Sequence, residues 1–278
     1  MLKYLFLVLI TFNVISLKAA KVDTVTVFSQ ANQQKISFAV VLPDVYHEEP
    51  LPVMYLLHGF SDKFDGWLKL PPDKMLVHKM ADTYKMIIVC PDGGYGSWYL
   101  NSPIKKDSQY ESFIIKELIP YVDKNYKTLA KRESRVIVGL SMGGHGALTL
   151  AAKNPELFVG AGSIAGVMDL IDGAINQPKG QIHDWFIKVL GDSRQFPEHY
   201  TANSAYFMTD KLKLANLKLI IDVGTGDFLF KQNQAMHKKL LEQNIPHDYT
   251  ERPGEHNWKY FANSLEYHLL FFDRIIKR

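Results

Sequence analysis

Arg135-Val136-Ile137-Val138-Gly139-Leu140-Ser141-Met142-Gly143-Gly144-His145-Gly146 sets an apolar, β-branched run directly against a Gly-x-Ser-x-Gly turn and the start of a helical pattern. A strand that ends in such a turn and passes straight into a helix holds its serine on a sharp, strained corner, with the hydroxyl standing above the strand end. Backbone crowding at the corner excludes side chains two residues before and two after the serine, and Gly139 and Gly143 occupy those positions. Ser141 then lies at the positive end of the following helix, where unpaired N–H groups favour developing negative charge. The blander alternative is a glycine-rich turn with a solvent-facing serine. Three fixed positions in five recur by chance, so the weight comes from the placement between strand and helix.

Outward from this stretch, short apolar runs at 53–57, 86–90, 135–138, 217–223 and near 248–250 alternate with helical patterns at 73–83, 109–124, 143–153, 231–243 and 258–276. That alternation predicts a mostly parallel central sheet with helices on both faces. Two alternating segments at 22–28 and 35–42, joined around Gln30 to Gln34, predict an antiparallel pair ahead of it. With the serine turn this is the α/β-hydrolase fold of the α/β class. Pro155 and Pro246 stop the third and fourth helices where the chain turns back into strands. Residues 166–216 lack a clean period and are expected to form an excursion or cap over the sheet edge.

The 278 residues, 47% hydrophobic and 22% charged, fit an ordinary globular chain and give no compositional case for disorder. At the N-terminus Lys3 precedes an apolar run from Tyr4 to Ile10 that continues, interrupted, to Leu17, and Ala19-Ala20 offer small residues for cleavage. Charged head, short apolar body and small-residue end describe a secretory signal, too short and broken for a comfortable membrane span. The expected organisation is therefore a signal peptide over 1–20 and a single domain over 21–278, exported to the periplasm or secreted. An uncleaved anchor or a buried N-terminal helix is the alternative. Losing Lys3 and Lys18 lowers the formal charge by two, from +3 to +1. A near-neutral chain without basic blocks argues against nucleic acid and against stable membrane attachment after signal removal. Cys90 is the only cysteine, so neither an intrachain disulfide nor a cysteine metal cluster can form, and burial at a strand end is its expected place.

A serine hydroxyl needs a base, and the base needs an acid to orient it; in this fold they follow the serine in the order acid, histidine. Of the histidines beyond 141, His237 and His268 fall inside helical patterns and His247 opens a strand. His256 lies in the loop Arg252-Pro253-Gly254-Glu255-His256-Asn257-Trp258 and is the candidate base. Asp227, in Gly224-Thr225-Gly226-Asp227-Phe228 past the carboxyl end of the strand at 217–223, is the candidate acid, because ligand-facing residues lie beyond strand ends. Asp222 competes from within the strand, where pairing or capping is its other reading. The tetrahedral intermediate of ester hydrolysis requires preorganised donors. The N–H of Met142 is one, and that of Phe60, in His58-Gly59-Phe60-Ser61-Asp62 after the strand at 53–57, is the other. His58 is expected to fix that loop by hydrogen bonding. In Pro91-Asp92-Gly93-Gly94-Tyr95-Gly96-Ser97-Trp98-Tyr99, Trp98 and Tyr99 are placed either as a substrate wall or as packing; Phe228, Trp258, Trp67 and Trp185 are further candidates for the same cleft.

These residues resemble the Putative esterase family, which contains tributyrin esterases, esterase D or S-formylglutathione hydrolases, and feruloyl and acetylxylan esterases. The matching signatures are Leu57-His58-Gly59-Phe60 with Gly66-Trp67, Pro91-Asp92-Gly93, Gly139 to Gly144, Gly226-Asp227-Phe228-Leu229 and Gly254-Glu255-His256-Asn257-Trp258, spread over residues 50–260. The resemblance implies a triad of Ser141, Asp227 and His256 with oxyanion donors at Phe60 and Met142. The stretch Gly226 to Phe230 and the tail around Trp258 are most similar to tributyrin esterases, implying hydrolysis of short-chain acyl esters through an acyl-serine. Feruloyl or acetylxylan esterase action on plant polysaccharide, and acyl transfer in place of hydrolysis, remain alternatives, as does a non-catalytic binding module. The implied partner is a small-molecule or carbohydrate-linked ester. With no His-x-x-x-His pair and no Gly-x-Gly-x-x-Gly after the first strand, neither a metal nor a cofactor is implied.

Overall fold

A computed structural model describes residues 20–46, 49–172 and 180–278. The expected signal peptide lies outside the described residues except for Ala20. Strands β1 (Lys21–Ser29) and β2 (Gln34–Leu42) pair antiparallel, with Lys21 opposite Leu42 and Ser29 opposite Gln34. After β3 (Val53–Leu57), helix α1 (Leu76–Tyr84) crosses back to β4 (Ile87–Pro91). A helix spanning Tyr110–Ser112, a π-helical turn Phe113–Leu118 and Ile119–Asn125 leads to β5 (Arg135–Leu140), α2 (Met142–Lys153) and β6 (Gly160–Ile164). Helix α3 (Gln181–Leu190) and shorter helical turns precede β7 (Lys218–Gly224), α4 (Phe230–Glu242), β8 (His247–Arg252) and α5 (Trp258–Asp273).

The strands form one sheet in the order β1-β2-β4-β3-β5-β6-β7-β8, parallel from β4 to β8. The α/β-hydrolase expectation, with an antiparallel N-terminal pair on a parallel sheet, is what the chain adopts. Alternate residues of the central strands feed two cores: Tyr55, Leu57 and Ile137 pack on one face with Leu148 and Ala151 of α2, while Met54, Leu56, Val136 and Val138 pack on the other with Leu265, Leu269 and Phe272 of α5. Each fully buried aliphatic or aromatic side chain of this kind contributes about 1.5–3 kcal/mol, which is how a sheet covered on both sides holds its central strands.

Strand β6, Gly160-Ala161-Gly162-Ser163-Ile164, is absent from the sequence-based expectation. It has almost no β-branched character because it is squeezed from both sides. A Cβ on Gly162 would collide with the His268 ring of α5, and a Cβ on Gly144 of α2 would stand 2.6 Å from Ser163 Oγ. The expected excursion at 166–216 carries α3 and packs on the loop beyond β4: Phe186 stacks on Trp98 at 4.3 Å between centroids, and Ser102 Oγ donates to the Val189 carbonyl at 2.6 Å.

Candidate active site

Ser141 has φ 53° and ψ −117°, the left-handed strained geometry the corner demands. Such a conformation costs on the order of 1–3 kcal/mol and persists only where its surroundings enforce it. Here they do: Ser141 N–H donates to the Ile164 carbonyl at 2.9 Å and its carbonyl accepts His145 N–H at 3.1 Å. A Cβ at Gly139 would strike the Gly143 carbonyl, and one at Gly143 would lie 2.6 Å from the carbonyl oxygens of Leu57 and His58.

Loops beyond β7 and β8 meet this corner and interlock: Thr225 N–H donates to the Arg252 carbonyl at 2.9 Å and Gly226 N–H to the Gly254 carbonyl at 2.8 Å. They bring Asp227 Oδ2 to 2.7 Å from His256 Nδ1, and His256 Nε2 to 3.0 Å from Ser141 Oγ. The other carboxylate oxygen of Asp227 accepts Leu229 N–H at 2.8 Å, and its side chain is wholly buried. A buried acceptor-only carboxylate fixes the tautomer: Nδ1–H faces Asp227, leaving the Nε2 lone pair for the serine hydroxyl. Asp222 is placed elsewhere. It accepts from Arg252 Nη2 at 2.5 Å and from Ser264 Oγ at 2.7 Å, tying β7 to β8 and α5.

On the opposite side of Ser141, a Cβ built on Gly59 would stand 3.6 Å from Ser141 Cβ, so the loop after β3 borders the nucleophile. Ser61 N–H in that loop donates to the Tyr95 carbonyl at 2.8 Å, whereas among the turn and loop bonds of the described residues Phe60 and Met142 N–H have no acceptor. Met142 begins α2 and its N–H is one of the unpaired donors of a helix start. His58 fixes the loop, as expected. Its Nε2 accepts Gly93 N–H at 2.8 Å, its Nδ1–H donates to the Gly59 carbonyl at 2.7 Å, and burial holds its pKa below the usual value, so the ring stays neutral. Burial also pushes the Asp62 carboxyl up to about 6.

The aromatic expectations need correction. Trp98 and Tyr99 are 2% and 0% exposed and form no substrate wall. Trp98 is stacked under Phe186 of α3, and Tyr99 lies against Gly93 and Gly146 with its hydroxyl donating to the His58 carbonyl at 3.2 Å. Trp258 is half-buried edge-on to Trp67, 5.2 Å between centroids, while Trp67 is buried with its indole N–H on the Leu57 carbonyl. Phe228 is 58% exposed, with its ring 4.5 Å from that of His256. The aromatic that sequence reasoning passed over is Tyr95, 41% exposed, 5.1 Å from Phe60 and 5.3 Å from Trp185. Its position between Gly94 and Gly96 at the crest of a strand-end loop was the available signal. No group of three His, Cys, Asp or Glu side chains among the described residues is placed to hold a metal.

A model of the family described as Putative esterase matches residues 29–272. The chain belongs to this family. An acetyl esterase of Caldicellulosiruptor saccharolyticus is 27% identical over 229 residues, covering 79% of this chain and 84% of that protein. An esterase of Mycobacterium tuberculosis is 36% identical over 135 residues, 47% of this chain but only 29% of that longer protein. Among solved structures, a ferulic acid esterase superposes with TM-score 0.76 at 26% identity, over 93% of this chain and 99% of that one. Within this family's fold, the hydrogen bonds running from Asp227 through His256 to Ser141 form the arrangement that can activate a serine hydroxyl.

Proposed function

We propose that the chain hydrolyses short-chain carboxylic esters through an acyl-Ser141 intermediate. The observation that carries this reading is the continuous relay from Asp227 Oδ2 through His256 to Ser141 Oγ, with links of 2.7 and 3.0 Å. His256 Nε2 takes the hydroxyl proton as Ser141 Oγ adds to the ester carbonyl, and Asp227 stabilises the imidazolium without taking the proton. The N–H groups of Phe60 and Met142 receive the oxyanion, each such donor being worth about 10²–10³ in turnover. The imidazolium then protonates the departing alkoxide, and a water molecule activated by the same nitrogen releases the carboxylic acid and restores Ser141. The short acyl chain rests on the likeness of the 226–230 stretch to tributyrin esterases and on the acetyl esterase relative. Ser141→Ala is expected to abolish turnover of p-nitrophenyl acetate while preserving the circular dichroism spectrum; a folded variant at the parental rate removes Ser141 from the mechanism. A series of p-nitrophenyl acyl chains checks the length, and rates that peak at long chains contradict the short-chain reading. The Lys3 to Ala20 pattern supports export with removal of the leader, which N-terminal sequencing of the protein recovered from outside the cytoplasm would test.

A further inference from the structure

Phe228 directly follows the acid of the relay, and core packing does not account for it: the ring keeps 58% of its surface in water, whereas Leu229 beside it is 1% exposed. The turn after β7 produces this split. Asp227 N–H donates to the Gly224 carbonyl at 3.0 Å, Phe230 N–H donates to the Asp227 carbonyl at 3.0 Å, and Leu229 N–H donates to Asp227 Oδ1 at 2.8 Å. Fixed in this way, the turn aims the Asp227 carboxylate at His256 Nδ1 and carries the next side chain to the same imidazole, with the Phe228 and His256 centroids 4.5 Å apart and their planes inclined by 51°. A second ring reaches the base from α5: Phe261, 4% exposed, lies at 5.0 Å and 82° to the imidazole. No ring contact joins Phe228 to Phe261 among the described residues, so the two bear on different sides of His256, Phe261 from the core and Phe228 from the water. We propose that Phe228 is a positioning residue for His256, its ring covering the water-facing side of the imidazole and steadying the ring while it carries the proton.

A contact speeds the reaction only if it strengthens as the transition state forms. The imidazole is neutral before Ser141 Oγ attacks and cationic once the hydroxyl proton has moved to Nε2, and the same change recurs when water attacks the acyl-serine. A phenyl ring is negative at the centre of its face and attracts a cation within about 6 Å of its centroid, a distance that both Phe228 and Phe261 meet. The outer ring also occupies space from which water would compete with Asp227 for the Nδ1–H. That protection matters on the histidine side of the pair, because the His256 side chain is 20% exposed and that of Asp227 is wholly buried. Phe261 is held by the core, whereas Phe228 can be exchanged without opening a cavity. The inference rests on the reading of His256 as the base of an ester hydrolase, and it assigns Phe228 to that base rather than to the substrate.

The test measures kcat and KM for p-nitrophenyl acetate in the parent, Phe228→Tyr, Phe228→Leu and Phe228→Ala proteins, with thermal melts to confirm the fold. Phe228→Ala is expected to lower kcat about two- to fivefold at unchanged KM, since both chemical steps pass through the imidazolium. Phe228→Tyr, which keeps the ring, should hold the parental rate, and Phe228→Leu, an apolar cover without a π face, should fall between. An alanine variant at the parental kcat, a loss carried by KM as for a substrate contact, or a tyrosine variant as slow as alanine overturns the proposal. Proton NMR of the low-field Nδ1–H resonance of His256 gives a readout free of turnover: this proton should exchange with water faster in Phe228→Ala than in the parent and Phe228→Tyr, and equal exchange rates overturn the proposal. A parent protein inert toward p-nitrophenyl acyl esters would instead sink the hydrolase reading, and the exchange rates alone would then decide whether Phe228 covers His256.

Discussion

Two aspartates separated by five positions divide the work at the end of β7, and their surroundings say which does what. Asp227 has one oxygen on His256 Nδ1 and the other on a backbone N–H, whereas both oxygens of Asp222 are spent on Arg252 and Ser264. Asp227→Asn should leave the fold intact and lower kcat by about 10⁴, because an amide can present its N–H to Nδ1 and trap the imidazole in the wrong tautomer. Asp222→Asn leaves the Arg252 cation without its carboxylate partner, so it should lower the melting temperature with little direct effect on kcat per folded molecule. Thermal melts beside active-site-titrated kcat values separate the two; a catalytic collapse in the folded Asp222→Asn protein would reverse the assignment. In the sequence this distinction rested on loop position and family likeness, since the partners that decide it, His256 and Arg252, come from the next strand and loop. Trp98 and Tyr99 failed as a wall for a related reason: Phe186, which covers Trp98, lies 88 residues further along the chain.

Elements were legible where a strand or helix carried its own signature. The short apolar runs of β3, β4, β5 and β7 announced themselves, as did the helical period of α5, which the structure shows capped by Asn257, its Oδ1 accepting Tyr260 N–H at 3.1 Å. The glycine-rich β6 was not legible, because its small residues answer to neighbours rather than to strand propensity. It lies between β5 and β7 and runs beneath both α2 and α5, so its identity depends on helices distant in sequence. Gly162→Val would raise local β-propensity yet drive a branched side chain into the His268 ring. Overpacking of this kind costs about 1–3 kcal/mol, and the variant should lose that much in urea unfolding. A Gly162→Val protein as stable as its parent would mean that α5 can retreat from the sheet without penalty. Because Ser141 N–H is held by the Ile164 carbonyl at the end of this strand, the destabilised variant should also turn over more slowly at temperatures where it remains folded.

Across the whole molecule, acid should loosen the fold before it protonates most surface carboxylates. His145 and His268 are both completely buried, and burial holds each pKa at about 4 against an ordinary value of 6.5. His145 sits between the Trp98 and Asn203 carbonyls, while neither ring nitrogen of His268 has a partner among the described residues. A histidine whose folded pKa is depressed binds fewer protons in the native than in the unfolded state between the two values. Its contribution is therefore full above pH 6.5 and drains away as the pH falls toward about 4, at most about 3 kcal/mol per ring. His58, lowered by burial as well, acts in the same direction. Asp62 opposes them: its carboxyl, raised to about 6, holds a proton more firmly when folded, so its stabilising contribution is present below the ordinary carboxylate pKa of 3.8 and is lost as the pH climbs through 6. That group is partly exposed and solvent screening weakens it, so the buried histidines set the sign. Urea midpoints should fall steadily from about pH 7 to about pH 5. In His268→Leu, which replaces an unpartnered buried ring packed against Gly162 with an apolar side chain, the fall should be shallower and the stability near pH 5 higher than in the parent. Curves that stay parallel across that range would show that His268 takes up its proton in the folded protein as readily as in the unfolded chain.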